Sequence, residues 1–575
     1  MSTDSVTLPK DEAAAEGKVN VQINGKWYRF PKGTRIADAC NSVGVHVPCF
    51  CYHPKLSVAG SCRMCLVEQG MPPRLAPGAS PTYNEDGYQT IQWMPRAVIA
   101  CANTVAENMG IRTTGALCED ARRGVLEFLL TNHPLDCPIC DQAGECKLQE
   151  YTADYGRDTH RFTEAKVKKG KNLSIGPRVN LDQERCVLCR RCIRFMKEIV
   201  GEEVLGVVGR GAHNAVACYP GKALDSNYSM NVVDLCPVGA MTSKDFRFKM
   251  RVWFLKSTPT IDVNCGTGTN INIWTREQQV YRITPRQNDE VNSCWMPDSH
   301  RLNYKYINAP ERLSHPLVKT DVHAPQRPST WEATLSLAAG QLRRCGSEQL
   351  AIIASARLNN EELYFVRKLA QTLGVEQLDI VPRKGENDGM LISEDGNPNS
   401  VGAKLILGKT GSTLADIRKG VKDGSIRSLI VIGEDVTAEA GITWEDLKKL
   451  DYLLAIDHSV TATTTQADVV LPGVTFAEKY GTMINVTGRI QRLNKAIEPH
   501  GEAHADWEIL RDLVKACGSE DPATAHTTPM QALEAMAQEI TELKGITWGA
   551  IGNQGKIVLE TGVTIPLIER EKAKK

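Results

Sequence analysis

CVLCRRC at residues 186–192, answered by LCPVGAMT at 235–242, is the stretch on which the reading of this chain turns. Cys186, Cys189 and Cys192 match the first three positions of C-x2-C-x2-C-x3-C-P, the spacing that wraps thiolates around a [4Fe–4S] cluster while the fourth Cys serves a neighbouring one. Met196 stands in the fourth position. Laid backwards from Cys236-Pro237, a second copy would put its first three ligands at Ser226, Ser229 and Val232, and none of them offers a thiolate. What survives of a two-cluster module is Cys186, Cys189, Cys192 and Cys236, enough for one [4Fe–4S] cluster. Zinc is a poor rival here, because three ligands two residues apart followed by Cys-Pro is the cubane arrangement.

Outward from that stretch lie two further groups. NHPLDCPICDQAGEC (132–146) carries His133, Cys137, Cys140 and Cys146. One imidazole and three thiolates suit either Zn²⁺ or a [4Fe–4S] cluster, and on these residues alone His133 reads equally as a ligand and as a structural hydrogen-bonder. PCFCYHPKLSVAGSCRMCLVE (48–68) supplies Cys51, Cys62 and Cys65, with Cys101 further on. Four soft thiolates in a loop-rich segment suit a [2Fe–2S] cluster. The spacing departs from the plant-type C-x4-C-x2-C pattern, so a zinc site with two Cys pairs stays open, and Cys49 competes with Cys51 for the first position. Eleven cysteines and His133 make three sets of four. The remaining eight, Cys40, Cys49, Cys118, Cys218, Cys265, Cys294, Cys345 and Cys517, form no C-x2-C pair and read as buried thiols.

The whole chain frames these groups. Its 575 residues are too many for one domain, at roughly 150 residues per domain. Lys plus Arg and Asp plus Glu both total 68, which argues against a nucleic-acid partner, since phosphate contacts need excess cations. No run reaches the roughly 18 apolar residues of a membrane span. Residues 1–17 are polar, without the apolar core of a signal peptide, and read as a disordered leader on a cytosolic protein. Of the 19 cysteines only Cys345 and Cys517 follow Cys294, so the pattern is a metal-rich N-terminal half rather than a disulfide framework.

VNVQINGKWYRF predicts two short strands around an Asn24-Gly25 type I′ turn, followed by a helix over RIADACNSV with Thr34 as N-cap and Gly44 as stop. The Pro-, Gly-, Ser- and Asn-rich segment 72–95 reads as a surface excursion, 119–131 as an amphipathic helix, and the KVKKGK run at 166–171 as a solvated loop. Beyond about residue 345 the texture turns α/β. LAIIA (350–354), SLIVI (428–432) and YLLAI (452–456) read as strands, and NEELYFVRKLAQTLG (360–374) as a helix ending at Gly374, so a parallel sheet is expected. No G-x-G-x-x-G follows a strand. VGAKLILGKT (401–410) imitates a phosphate loop but has its glycines too far apart, with what reads as an apolar strand between them.

The three cysteine groups in this order resemble the N-terminal half of the large peripheral-arm iron–sulfur subunit of respiratory complex I, the 75 kDa subunit family of NADH-quinone oxidoreductase. FCYHPKLSVAGSCRMC, HPLDCPICDQAGEC, CVLCRRCIRF and LCPVGAMT carry the likeness, strongly over about residues 18–310. The resemblance implies a β-grasp [2Fe–2S] ferredoxin-like domain (18–103) with Cys51, Cys62, Cys65 and Cys101. It implies next a [4Fe–4S] segment (104–150) held by one histidine and three cysteines, in which His133 is a genuine ligand. It further implies a ferredoxin-like [4Fe–4S] domain (151–250), a degenerate [4Fe–4S] region of molybdenum-enzyme type (251–310) and a degenerate molybdopterin-oxidoreductase-like α/β domain (311–575). ADVVLPGVTFAEKYGTMINVTGRIQ (467–491) is the best match to the last of these. Some members hold one more cluster through C-x2-C-x3-C and a later Cys. Here those positions read Asp262, Cys265 and Thr269, and the later segment reads Trp295-Met296-Pro297-Asp298, with Cys294 out of register. No fourth cluster and no molybdopterin are expected.

The implied function is electron transfer within NADH:quinone oxidoreductase, whose whole complex couples it to proton translocation. The implied partners are the flavin- and NADH-binding subunit with its small [2Fe–2S] companion, and an iron–sulfur subunit of the connecting arm. The membrane is reached only through the complex, on its cytoplasmic face. Two other classes fit parts of the pattern: the electron-transfer subunit of a soluble NAD-linked hydrogenase or formate dehydrogenase, which neighbouring genes would distinguish, and a zinc-stabilised scaffold, which a visible absorption spectrum would distinguish.

Overall fold

Described in the computed structural model are residues 17–573, except 75, 79, 86, 322 and 323. The leader expected over 1–17 lies, apart from Gly17, outside the described residues. The chain divides into two units, Met1–Trp253 and Phe254–Lys575.

In the first unit, strands Lys18–Ile23 and Lys26–Pro31 pair antiparallel around Asn24 (φ 49°) and Gly25 (φ 87°), both left-handed as a type I′ turn requires. The helix Ile36–Ser42 follows, one residue later than the expected cap allows. Arg35 is the flanking residue, while the Thr34 hydroxyl donates to the Pro31 carbonyl at 2.7 Å and closes the preceding turn. Lys18–Ile23 also pairs parallel with Met109–Arg112, which pairs antiparallel with Leu66–Met71. Ile36, Ala37, Ala39 and Cys40 of the helix join Val19, Val21, Ile23, Val67 and Ile111 of the sheet in one buried core. A helix lying across a mixed sheet is the expected β-grasp arrangement. The excursion over 72–95 ends on the edge strand Gln92–Trp93, and Tyr88 stacks on Trp27 at 4.3 Å between ring centroids.

The expected amphipathic helix spans Ala116–Asn132, starting before residue 119 because its first turn sits on the buried carboxylate of Glu68. Leu117 N–H donates to that carboxylate at 3.1 Å, and a Cβ on Gly115 would collide with the same oxygen. An acid at a helix N-terminus is favoured by the exposed N–H groups there. The 166–171 run is not simply solvated. Lys166 donates to the Leu130 and Thr131 carbonyls at that helix's C-terminal end, and Lys171 pairs with Asp136, Asp182 and Glu184. The open carbonyls of a helix end and an acidic pocket attract these cations, which local composition does not reveal.

The second unit is built on a sheet ordered Leu378–Ile380, Leu350–Ala354, Ser428–Ile432, Tyr452–Asp457, Val469–Pro472, all parallel, with Leu317–Val318 and Arg327–Pro328 added antiparallel at one edge. Leu350, Ile352 and Ala354 face one apolar cluster and Ala351 and Ile353 the other, so both faces are covered and the strand reads as a continuous apolar run. The helix Asn360–Leu373 is closed by an Asn359–Glu362 capping box and by left-handed Gly374 (φ 65°). The phosphate-loop imitation is corrected in one respect. Its apolar stretch is the helix Ser400–Leu407, stopped by left-handed Gly408 (φ 69°), since a short apolar run does not distinguish strand from helix by periodicity.

Candidate metal centres

The first unit brings the three cysteine groups to one place. Phe50, Cys51, Met64, Leu126, Cys146, Leu148, Tyr151, Cys189, Val238 and Ala240 form a single buried apolar cluster, with Cys62, Cys186 and Cys236 half-buried against it. Each of the three groups contributes at least one thiol to this cluster.

In the first group the Cys51 thiol is in hydrogen-bond contact with Cys62 and Cys101, and Cys65 with Cys101. Cys51 accepts from Cys101 and Cys62 and is pulled far below the ordinary thiol range, while Cys101 and Cys62 are pushed up by the same contacts and by burial. Hydrogen bonding to Cys101 holds Cys65 at about 7. The Cys49 thiol turns away and donates to the Tyr52 carbonyl at 3.9 Å. Arg63, between Cys62 and Cys65, is left-handed (φ 60°).

The third group is built the same way. Leu188 (φ 51°) and Arg190 (φ 60°) are the left-handed residues between its cysteines, and Leu188 N–H donates to Cys186 Sγ at 3.4 Å. Left-handed non-glycine residues are uncommon, and here they curl each C-x2-C segment so that backbone N–H groups face sulfur. Cys186, Cys189, Cys192 and Cys236 line one cavity with Val187, Val216, Val238 and Met241. Met196, in the lost fourth-ligand position, is fully buried in the core, as are Ser229 and Val232 of the lost second copy. Burial pushes Cys186, Cys189 and Cys236 up to about 11 and Cys192 well above its ordinary value. Four bare thiolates cannot share such a pocket. A cationic metal core would supply the charge that stabilises them as their protons are released.

Between these groups lies the His133 loop. His133 caps the C-terminal end of Ala116–Asn132, Cys137 opens the short turn Cys137–Ile139, and Cys146 precedes the helix Lys147–Tyr155. Burial lowers His133 to about 4, which leaves the neutral imidazole that metals bind. Cys140 and Cys146 are both pushed up by burial. Two contacts fix this loop against the third group. Asp136 pairs with Arg185 at 2.7 Å; burial alone would raise Asp136, but its hydrogen bonds to Arg185 and Lys171 outweigh that and hold it at about 2. Gly239 lies so close to Cys140 that a Cβ there would collide with its Sγ.

Sequence reasoning missed these supports. Arg191 donates to the Tyr52 and Leu235 carbonyls, and Arg194 to the carbonyls of Ser57, Cys51 and Cys189. Both arginines stand inside CRRCIRF, and cations within a thiolate motif were the available signal. Of the eight other cysteines, expected as buried thiols, Cys49, Cys218, Cys294 and Cys345 are only half-buried. In the second unit Asp262 holds His300 Nδ1 at 2.7 Å, and the Cys265 thiol donates to the Leu391 carbonyl at 3.8 Å. Thr269 and Asp298, at two further positions of the degenerate motif, are buried and bring no thiol to it. Among the described residues, no three His, Cys, Asp or Glu side chains close around a single metal ion.

Clustered cysteines on shared apolar walls define the class: an iron–sulfur electron-transfer protein. The family models agree along the chain. They are a 2Fe-2S iron-sulfur cluster binding domain (16–116), an NADH-ubiquinone oxidoreductase-G iron-sulfur binding region (122–161) and an NADH-quinone oxidoreductase subunit 3 ferredoxin-like domain (176–242). Further on come an NDSU1/NuoG-like 4Fe-4S domain (255–305) and a molybdopterin oxidoreductase domain (378–516). The NADH-ubiquinone oxidoreductase 75 kDa subunit of Reclinomonas americana is 30% identical, covering 95% of this chain and 94% of its own. The mitochondrial NADH-ubiquinone oxidoreductase 78 kDa subunit of Neurospora crassa is also 30% identical, covering 89% and 82%. A solved NAD+-reducing [NiFe]-hydrogenase chain, in the H2-reduced state, matches 41% of this chain and 91% of its own at 23% identity and a TM-score of 0.33. The chain belongs to the 75 kDa subunit family of NADH-quinone oxidoreductase, the iron–sulfur electron-transfer subunits of complex I.

Proposed function

We propose that this chain carries single electrons through three clusters, a [2Fe–2S] on Cys51, Cys62, Cys65 and Cys101, a [4Fe–4S] on Cys186, Cys189, Cys192 and Cys236, and a [4Fe–4S] on His133, Cys137, Cys140 and Cys146. The observation that carries it is the single apolar cluster bordered by cysteines of all three groups. The donor sets fit: four thiols in contact, four thiols around one cavity, and a neutral imidazole beside three thiols. Cys51 rather than Cys49 is the first ligand, supported by its contacts with Cys62 and Cys101. When bound, the clusters supply one-electron redox centres, and the residues around them set position and potential.

The protein's own part is to hold, shield and tune. The left-handed residues turn N–H groups onto sulfur, which favours the reduced, more negative state. Arg194 places positive charge beside Cys51 and Cys189 and so acts on both groups. The apolar walls exclude water from the space between them. The domain divisions at 18–103, 104–150, 151–250, 251–310 and 311–575 follow the same assignment. The second unit is proposed to hold neither a fourth cluster nor a pterin metal, since one thiol, Cys265, remains in its motif and that thiol is turned to a carbonyl.

A wire needs a donor and an acceptor. The flavin-bearing, NADH-binding subunit with its small [2Fe–2S] companion is the proposed donor side. An iron–sulfur subunit of the connecting arm is the acceptor side, and neither nucleic acid nor a direct membrane contact is involved. No helix among the described residues is long and apolar enough to cross a membrane, and the chain is placed peripherally on the cytoplasmic face of the complex. The test is reconstitution. The cluster-loaded chain alone should show negligible NADH oxidation with artificial acceptors, and adding the flavin subunit and its companion should restore NADH-dependent cluster reduction. Robust oxidation by the flavin-free chain would refute the wire.

A further inference from the structure

Arg191 is a buried cation without an anion. It is 6% exposed, and among the described residues it makes no ion pair. Its Nη1 donates to the Leu235 carbonyl at 3.3 Å and its Nη2 to the Tyr52 carbonyl, while its Nε has no partner among the described residues. Carbonyl oxygens accept from a guanidinium but do not cancel its charge. Other buried guanidiniums here are neutralised: Arg185 pairs with Asp136 at 2.7 Å and Arg312 with Glu478 at 2.6 Å. A buried charge left without a counter-charge is costly, and such charges are normally paired or belong to a metal site.

The surroundings of Arg191 show where the negative charge belongs. Its backbone N–H donates to the Cys189 sulfur, and it lines the cavity shared by Cys186, Cys189, Cys192 and Cys236. Leu235, whose carbonyl takes the side chain, directly precedes Cys236. The guanidinium therefore ties the C-x2-C-x2-C segment to its remote Cys-Pro ligand. The neighbouring cations Lys147 and Arg194 both feel its repulsion, so the region gathers positive charge around this cavity. In the first group, Arg191 hydrogen-bonds only to the Tyr52 carbonyl. Four thiolates outweigh the positive core of an iron–sulfur cluster, so a loaded centre is a net anion, and an added electron makes it more so.

We propose that Arg191 is the built-in counter-ion of the Cys186, Cys189, Cys192 and Cys236 centre and raises its potential relative to the [2Fe–2S] centre. This rests on the cluster assignment above. A fixed cation favours the reduced, more negative state, so the centre takes up an electron more readily. The step it biases moves one electron from the [2Fe–2S] centre, which is oxidised, to this centre, which is reduced. No bond forms or breaks and no proton moves. The two carbonyls position the guanidinium, and its charge does the tuning.

Redox titration of the full cluster-loaded chain, followed by paramagnetic resonance, tests this with Arg191→Gln, Arg191→Met and Arg191→Lys. Both neutral variants should lower the equilibrium constant for reducing the Cys186 centre about tenfold, or about 59 mV for one electron, with the [2Fe–2S] centre moving less than about threefold. Arg191→Lys keeps the charge and should restore most of that shift. Iron content and circular dichroism of each variant check loading and fold. If the neutral variants do not load that centre, Arg191→Lys should load it at a potential near that of the unmodified chain. Four results would each overturn the proposal: an unshifted potential in a loaded neutral variant, an equal shift at the [2Fe–2S] centre, a Lys variant shifted as far as the neutral ones, or a Lys variant that does not load. The cluster assignment beneath it fails differently: the unmodified chain would then lack a [4Fe–4S] signal that Cys192→Ser abolishes.

Discussion

Fifteen of the nineteen cysteines lie in the first unit and four in the second, and the two units use their interiors differently. The second unit surrounds a parallel sheet with two apolar clusters, and strand after strand is buried on both faces. The first unit fills much of its interior with thiols, with arginines donating to carbonyls and with loops carrying left-handed residues. Buried polar groups of that kind stabilise only when every partner is in place. The second unit can therefore be stable on its apolar clusters and its own internally paired polar groups, whereas the first depends on what its thiols hold.

The strongest way to break that contrast is to withhold iron. Chain produced without cluster assembly should lose hydrogen-exchange protection across residues 48–240 while the sheet of the second unit stays protected. Equal protection in both units would remove the distinction. Next in size is Cys192→Ser, inside the fully buried set. It should abolish one [4Fe–4S] signal in the paramagnetic resonance spectrum, and total iron should fall from about ten atoms per chain to about six. A stoichiometric molybdenum or tungsten, or about 14 irons in the unmodified chain, would show that the second unit holds metal after all.

Finer tests act on the His133 loop. His133→Ala should remove or weaken the other [4Fe–4S] signal and spare the remaining two centres, and His133→Cys should keep a cubane at a changed potential. Survival of all three signals in His133→Ala would make the imidazole a hydrogen-bonder only. Gly239→Ala sharpens this, because its methyl group would press on Cys140. The expected result is a broadened or partly lost signal from the His133 centre with the [2Fe–2S] signal unchanged.

The smallest effect belongs to the second unit. Glu361 is fully buried and burial raises it to about 8, with Thr482 N–H and hydroxyl donating to it. A carboxyl whose folded value is raised contributes no penalty below its ordinary value near 4.5. It then costs stability progressively as pH rises, up to about 8. Glu361→Gln should flatten the loss of stability between pH 5 and 8 by about 1 kcal/mol per pH unit, read by denaturant midpoints. An unchanged pH slope would place the titration elsewhere.

The strands 350–354 and 428–432 and the Asn360–Leu373 helix were readable in the sequence because burial on two faces leaves an unbroken apolar run, and Gly374 marks the stop. The three cysteine groups were readable too, since most of their spacing is local, whereas His133 was singled out as a ligand only by the family resemblance. The supports of those ligands were not. Asp136 meets Arg185 and Gly239 meets Cys140 across many residues of chain, and nothing local to either partner announces the other. The Ser400–Leu407 helix was hidden by brevity, and Thr34 by a hydroxyl that found a nearer carbonyl.

Arg194 carries a consequence of its own. One guanidinium donates to the carbonyls of Cys51 and Cys189, one from each of two ligand loops. Its charge is felt by both loops at once, so a substitution there would be heard as a chord rather than a single note. The voltage step between neighbouring centres could stay nearly constant while both moved together. A lineage working at a different redox level could transpose that part of the chain with one residue, whereas changing the interval would require residues that face only one loop.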